Sequence, residues 1–207
     1  MIPEHIIGAA GRGEIETIRA YFDDDREGAR NVNDTFGELS ENDSCMTLLL
    51  MCADGGDSDH LTLAHVNLAR YLLSRGASTD VRNVCGNTAL TKACYCGGGA
   101  VAVSEMVELL LSKGADPNAR NSYGRTPLGA YIRFAHSPRL AVVTVLLRYG
   151  ASLDRCFRDD PLESLLDITV RTGPATTSAY SSVELPAISA LVSGVRRNGS
   201  FKRYVRE

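Results

Sequence analysis

The sequence has no long hydrophobic run. No window approaches about 18 consecutive apolar residues, so a membrane-spanning helix is not expected. The first residues lack a basic-then-apolar signal pattern, which argues against classical secretion. Strong charge of one sign is missing too: the net charge is −3 over 207 residues, with a pI near 5.8. Such a balance gives no global attraction to nucleic acid. The six cysteines lack framework spacing, so free thiols in a reducing compartment are expected. The expected location is cytoplasmic, inside a host cell if the source is a pathogen.

Recognisable catalytic signatures are also missing. His5, His60, His65 and His136 are scattered, and none adjoins a nucleophile in an elbow or a Cys/His signature. Cys85, Cys94 and Cys96 offer a single close pair where structural zinc wants two. Gly8 and Gly11–Gly13 lack the preceding strand and the Lys-Ser/Thr ending of a phosphate loop. Asp23–Asp25 would suit a hard cation, but reads more simply as a solvated loop. The expectation is a non-enzymatic chain with no metal or cofactor.

What the chain does have is a repeated unit. Asn83-Val84-Cys85-Gly86-Asn87-Thr88-Ala89-Leu90 is answered by Asn121-Ser122-Tyr123-Gly124-Arg125-Thr126-Pro127-Leu128. The offset is 126 − 88 = 38 at the threonines and 150 − 114 = 36 at the closing glycines. A period of that size signals stacked supersecondary units. Gly86 and Gly124 suit tight turns. Thr88 and Thr126 suit helix N-caps, and Pro127 the first helical turn. Val103, Met106, Val107, Leu110 and Leu111 form one apolar stripe at helical spacing. Gly114 and Gly150 then stop a second helix.

This pattern of Gly-x-Thr-Pro-Leu, a helix ending in Leu-Leu, and Gly-Ala-Asp-x-Asn resembles the ankyrin repeat. It is clearest in Gly124–Leu128 and Leu109–Asn118. The resemblance implies an all-α solenoid of about four to five helix-turn-helix repeats with hairpin fingers. Two departures stand out: the units are long, with surplus residues in Cys96–Ala102 and His136–Leu140, and Tyr131-Ile132 replaces the usual pair of alanines.

Taken in order, the chain reads as a single domain over 1–207. Residues 1–43 hold a weak first repeat, with a turn at Gly11–Gly13, and an acidic loop. Residues 44–154 hold the well-formed repeats; in the first of these Thr47, Leu49, Cys52 and Ala53 make the inner helix and Asp54–His65 a long inter-helix loop. Leu68, Ala69, Leu72 and Leu73 follow as its outer stripe. Residues 155–195 read as a C-terminal capping repeat, with an inner helix from Asp160 and a last helix over Val183–Val195 whose Leu185, Ile188, Leu191 and Val192 face inward. Residues 196–207 form a basic tail.

The ankyrin resemblance implies a partner-binding surface on the fingers and the concave inner-helix face. On the fingers it places Arg82, Val84, Cys85, Asn87, Arg120, Ser122, Tyr123 and Arg125. On or just after the inner helices it places Lys92, Tyr95, Arg133 and Phe134. It also puts Cys94 where the family packs alanine, which implies a small buried hydrophobe, and leaves Cys85 and Cys96 exposed at the finger and the inter-helix loop. Arginine and aromatics dominate interface energy, and arginine's fork suits carboxylates. The expected partner is a protein with an acidic surface and an apolar anchor, bound by a chain that is monomeric on its own. The alternatives are a regulatory subunit of an enzyme complex and a nucleic-acid-associated scaffold, the latter disfavoured by charge. The uneven repeats and Leu128–Ile132 resemble those of poxvirus ankyrin proteins, and Leu185-Pro186 resembles the start of the F-box-like segment that closes several of them. A bacterial ankyrin effector or immunity protein fits equally well. Both imply a host-directed inhibitor or adaptor.

Overall fold

The computed structural model describes residues 2–24, 30–37, 45–56, 60–134 and 140–152, together with 187, 188, 190, 191 and 194. Within these, threonine chemistry starts the inner helices as the repeat pattern requires. Thr47 and Thr88 accept the N–H groups of Leu50 and Thr91 at 3.2 and 3.3 Å. Thr126 accepts that of Gly129 at 3.2 Å. They precede α3 (Leu48–Asp54), α5 (Ala89–Tyr95) and α7 (Pro127–Phe134). The first repeat's inner helix, α1 (Glu4–Arg12), lacks such a cap. The outer helices are α2 (Ile15–Asp23), α4 (Leu63–Ser74), α6 (Ala100–Ser112) and α8 (Leu140–Arg148).

Outer helices end in the expected way. Gly76, Gly114 and Gly150 have φ of 89°, 92° and 92°. The alanine after each donates its N–H back to a leucine carbonyl: Ala77 to Leu72, Ala115 to Leu110 and Ala151 to Leu146, at 3.0, 3.1 and 2.9 Å. This closure satisfies carbonyls that a helix end would otherwise strand.

Packing follows from the small residues. Inner helices α1, α3, α5 and α7 touch in succession, as do outer helices α2, α4, α6 and α8. Ala9, Ala10, Cys52, Ala53, Ala93 and Cys94 are buried along the inner row, where little volume separates neighbouring backbones. Tyr131 and Ile132 hold the places of Ala93 and Cys94 in α7 and are buried as well. Ile188 and Leu191 are buried in the same hydrophobic core. Leu185, Val192, the helix from Asp160 and the basic tail lie outside the described residues. The chain is thus an all-α stack of four described helix pairs.

Side chains also bridge the repeats. Asn33 Nδ2 donates to the Gly76 carbonyl at 3.2 Å, while its Oδ1 accepts from the Ser78 N–H at 2.7 Å. Asn118 repeats both contacts with Gly150 and Ser152, at 3.0 and 2.7 Å. Lys92 Nζ pairs with Asp54 Oδ2 at 2.8 Å across α5 and α3.

The inter-helix segments differ from expectation in three places. Asp54–His65 is not one loop: α4 begins at Leu63, and His65 is buried inside it. His65 Nδ1 accepts from the Thr62 backbone N–H (3.2 Å) and lies 2.8 Å from the Thr62 hydroxyl. Its Nε2 meets the Gly11 carbonyl at 2.9 Å, which makes that nitrogen the protonated one, since a carbonyl only accepts. Cys96 is buried rather than exposed, with its thiol donating to the Asp54 carbonyl at 3.0 Å. It precedes a two-residue strand, β2 (Gly97–Gly98), that pairs in parallel with β1 (His60–Leu61) of the previous repeat. Gly98 has φ 133°, and a Cβ there would lie 2.6 Å from the Leu61 oxygen, so only glycine fits. The turn after α1 is also tighter than Gly11–Gly13, because Gly11 and Arg12 are helical.

Candidate protein-binding surface

Two adjacent fingers are built by the same local bonds. Gly86 donates to the Asn83 carbonyl (2.8 Å) and Asn83 to that of Asn87 (3.1 Å). Gly124 donates to Asn121 (2.9 Å) and Asn121 to Arg125 (3.0 Å). Each asparagine side chain then satisfies the turn from within: Asn83 Oδ1 accepts from the Asn87 N–H at 2.9 Å. Asn121 Oδ1 accepts from the N–H groups of Tyr123 and Arg125, both at 3.0 Å.

The fingers are also tied to each other. Ser122 N–H donates to the Cys85 carbonyl at 2.9 Å. Arg82 Nη1 reaches the Gly86 carbonyl of its own finger (3.0 Å) and the Arg120 carbonyl of the next (2.6 Å). Arg120 Nη1 closes onto Gly124 at 2.6 Å. Asn121 Nδ2 donates to Asn87 Oδ1 (2.9 Å) and to Tyr95 Oη (3.1 Å), linking the fingers to α5. Buried Asn121 is the hub of this network, and sequence reading did not single it out. The signal was present in the repeated Asn-x-x-Gly-x-Thr, which aligns it with Asn83.

Four side chains converge where the fingers meet the inner helices. Tyr95 and Phe134, the last residues of α5 and α7, have ring centroids 5.2 Å apart at 52°. The Arg125 Cζ lies 4.7 Å from the Phe134 centroid and 5.3 Å from that of Tyr123. Tyr123 is 54% exposed, Val84 42% and Phe134 38%, so an apolar rim faces solvent beside a guanidinium. Cys85 Sγ lies 3.7 Å from Tyr123 Oη. The hydrogen bond to this thiol, ahead of its charge and a little burial, raises the Tyr123 pKa above the usual tyrosine value.

The remaining candidates are placed differently. Ser122 is exposed and Cys85 half-exposed. Asn87 and Lys92 are buried, the first within the finger network and the second against Asp54. Arg133 lies in α7. Among the described residues, no group of three or more His, Cys, Asp or Glu is arranged to hold a metal. None of the described helices is long and apolar enough to cross a membrane.

The sequence model of a family described as ankyrin repeats in three copies matches residues 6–156. The chain belongs to the ankyrin-repeat family, whose members are generally protein–protein interaction modules. Comparison with the curated proteins finds no match.

Proposed function

We propose that this protein binds another protein through its fingers and concave inner-helix face, without catalysing a reaction, and so inhibits its partner or tethers it to a third component. The observation that carries this reading is the stack of Tyr95, Phe134, Arg125 and Tyr123, which spans two repeats and leaves aromatic surface in water. Buried aromatics and arginines at the centre of a patch are where binding energy concentrates. The network behind them, from Arg82 to Asn121, holds the fingers in place before a partner arrives, which lowers the entropic cost of binding. The partner presents an acidic surface with an apolar anchor. A cytoplasmic, host-directed role suits a chain whose cysteines are free thiols among the described residues.

Affinity capture followed by mass spectrometry tests the proposal, comparing wild type with a Tyr123→Ala/Phe134→Ala variant. One protein is expected to disappear from the variant's set; identical sets would remove this face from consideration. Deleting residues 183–207 separates the two modes. An adaptor loses its second component and keeps its first, whereas an inhibitor loses neither.

A further inference from the structure

The three finger arginines are chemically unequal. Arg82 and Arg120 commit guanidinium N–H groups to backbone carbonyls at 2.6–3.0 Å. Their charge remains on the surface, but their orientation is spent on holding the fingers. Arg125 makes no side-chain hydrogen bond among the described residues. Its guanidinium is positioned instead by the Phe134 and Tyr123 rings. Rings attract the cation through its flat face and use none of its donors. The N–H fork is therefore held in place, partly stripped of water, and unused among the described residues.

We infer that Arg125 is the specificity-determining residue of the protein-binding surface proposed above, and that it receives a single carboxylate side chain, Asp or Glu, from the partner protein. This rests on that reading of the surface and adds the chemistry of the group recognised. One planar fork matches the two oxygens of one carboxylate. A phosphate dianion held by this fork alone would keep much of its charge uncompensated. Arg82 and Arg120 add fixed positive charge that draws an acidic segment to the fingers of a chain whose net charge is −3. The exposed faces of Tyr123, Phe134 and Val84 then accept an apolar residue next to the acid.

The probe is a displayed library of random peptides, panned against the full chain, with retained peptides tested on variants. Retained sequences are expected to carry Asp or Glu beside an aromatic or aliphatic residue. Changing that acid to its amide should weaken binding about tenfold or more, as should Arg125→Lys, which keeps the charge but loses the fork and the stacking. Tyr123→Ala should abolish capture. Thermal melts identify variants that fold as wild type does, and Arg125→Gln substitutes if Arg125→Lys melts early. Peptides lost on Tyr123→Ala, yet without acid or indifferent to Arg125→Lys, overturn the carboxylate assignment and leave protein binding at this face intact. Peptides indifferent to Tyr123→Ala, or none retained, overturn both. Salt-sensitive binding of a single-stranded oligonucleotide that needs Arg125 also overturns the assignment.

Discussion

Tyr71 carries a buried hydroxyl oxygen with no hydrogen-bond partner among the described residues. It lies in a groove between α2 and α4, with the guanidinium of Arg19 5.4 Å and that of Arg75 6.0 Å from its ring centre. Both cations use the ring, and neither satisfies the oxygen. An unpaired buried hydroxyl costs about 1–3 kcal/mol, so removing it should not harm the fold. Tyr71→Phe is expected to match wild type or exceed it by up to about 1 kcal/mol in urea unfolding. A loss larger than about 1 kcal/mol would show that the hydroxyl is satisfied after all. The thiols of Cys52 and Cys94 carry a second consequence. Burial pushes both far above the usual thiol range. In the unfolded chain they ionise near pH 8.5, so above that pH the unfolded state alone releases these protons. The contribution of the neutral thiols is complete below about pH 8.5 and falls by about 1.4 kcal/mol per pH unit per thiol above it. Urea unfolding at pH 8 and 9.5 measures this slope, and Cys94→Ala should remove about half of it. An unchanged slope in that variant would mean the thiol is not sealed in the core.

At the level of the elements, one joint is incomplete. Asn33 and Asn118 each donate across a repeat boundary to a glycine carbonyl, but the middle boundary has Asp80 at the equivalent place, 118 − 80 = 38 residues earlier. A carboxylate accepts and cannot donate, so the Gly114 carbonyl receives nothing from it. Asp80→Asn supplies the donor at an exposed site and is expected to add about 0.5–1.5 kcal/mol, read as a higher melting temperature. An unchanged midpoint would mean that the second and third repeats are too far apart for the bridge. Much of this level was legible beforehand. Threonine caps and Gly-Ala stops are local chemistry, identical wherever the repeat is copied, so counting residues locates them. What escaped depended on partners distant in sequence. The start of α4 rests on His65, whose ring reaches Gly11, 54 residues away. The burial of Cys96 follows from the pairing of β2 with β1, and that pairing needs Gly98. Of the candidate surface, the fingers were legible and the inequality of their arginines was not. It arises from where the Phe134 ring, at the end of a different helix, comes to lie.

At the scale of the stack, the main contacts between described helix pairs fall between adjacent pairs, so stability is approximately a sum of nearest-neighbour terms along one continuous core. A lesion therefore acts according to its place in the row. Leu110 is buried in α6, which packs on α4 and on α8. Leu110→Ala should cost about 2–5 kcal/mol through lost burial and the cavity left behind, and it weakens two boundaries at once. Ile6 is equally buried but belongs to α1, whose row continues on one side only among the described elements. Ile6→Ala should remove a similar apolar volume yet loosen α1 and α2 alone. Hydrogen exchange distinguishes the cases: Leu110→Ala is expected to raise exchange across α3 to α8, while Ile6→Ala raises it in α1 and α2 and leaves α5 to α8 protected. The fingers that carry Tyr123 and Arg125 sit in the half that Ile6→Ala should spare, so partner binding ought to survive this variant and weaken in the other. Uniform deprotection by both substitutions would mean that the stack unfolds as one cooperative block, and that the binding face cannot be uncoupled from the end of the row.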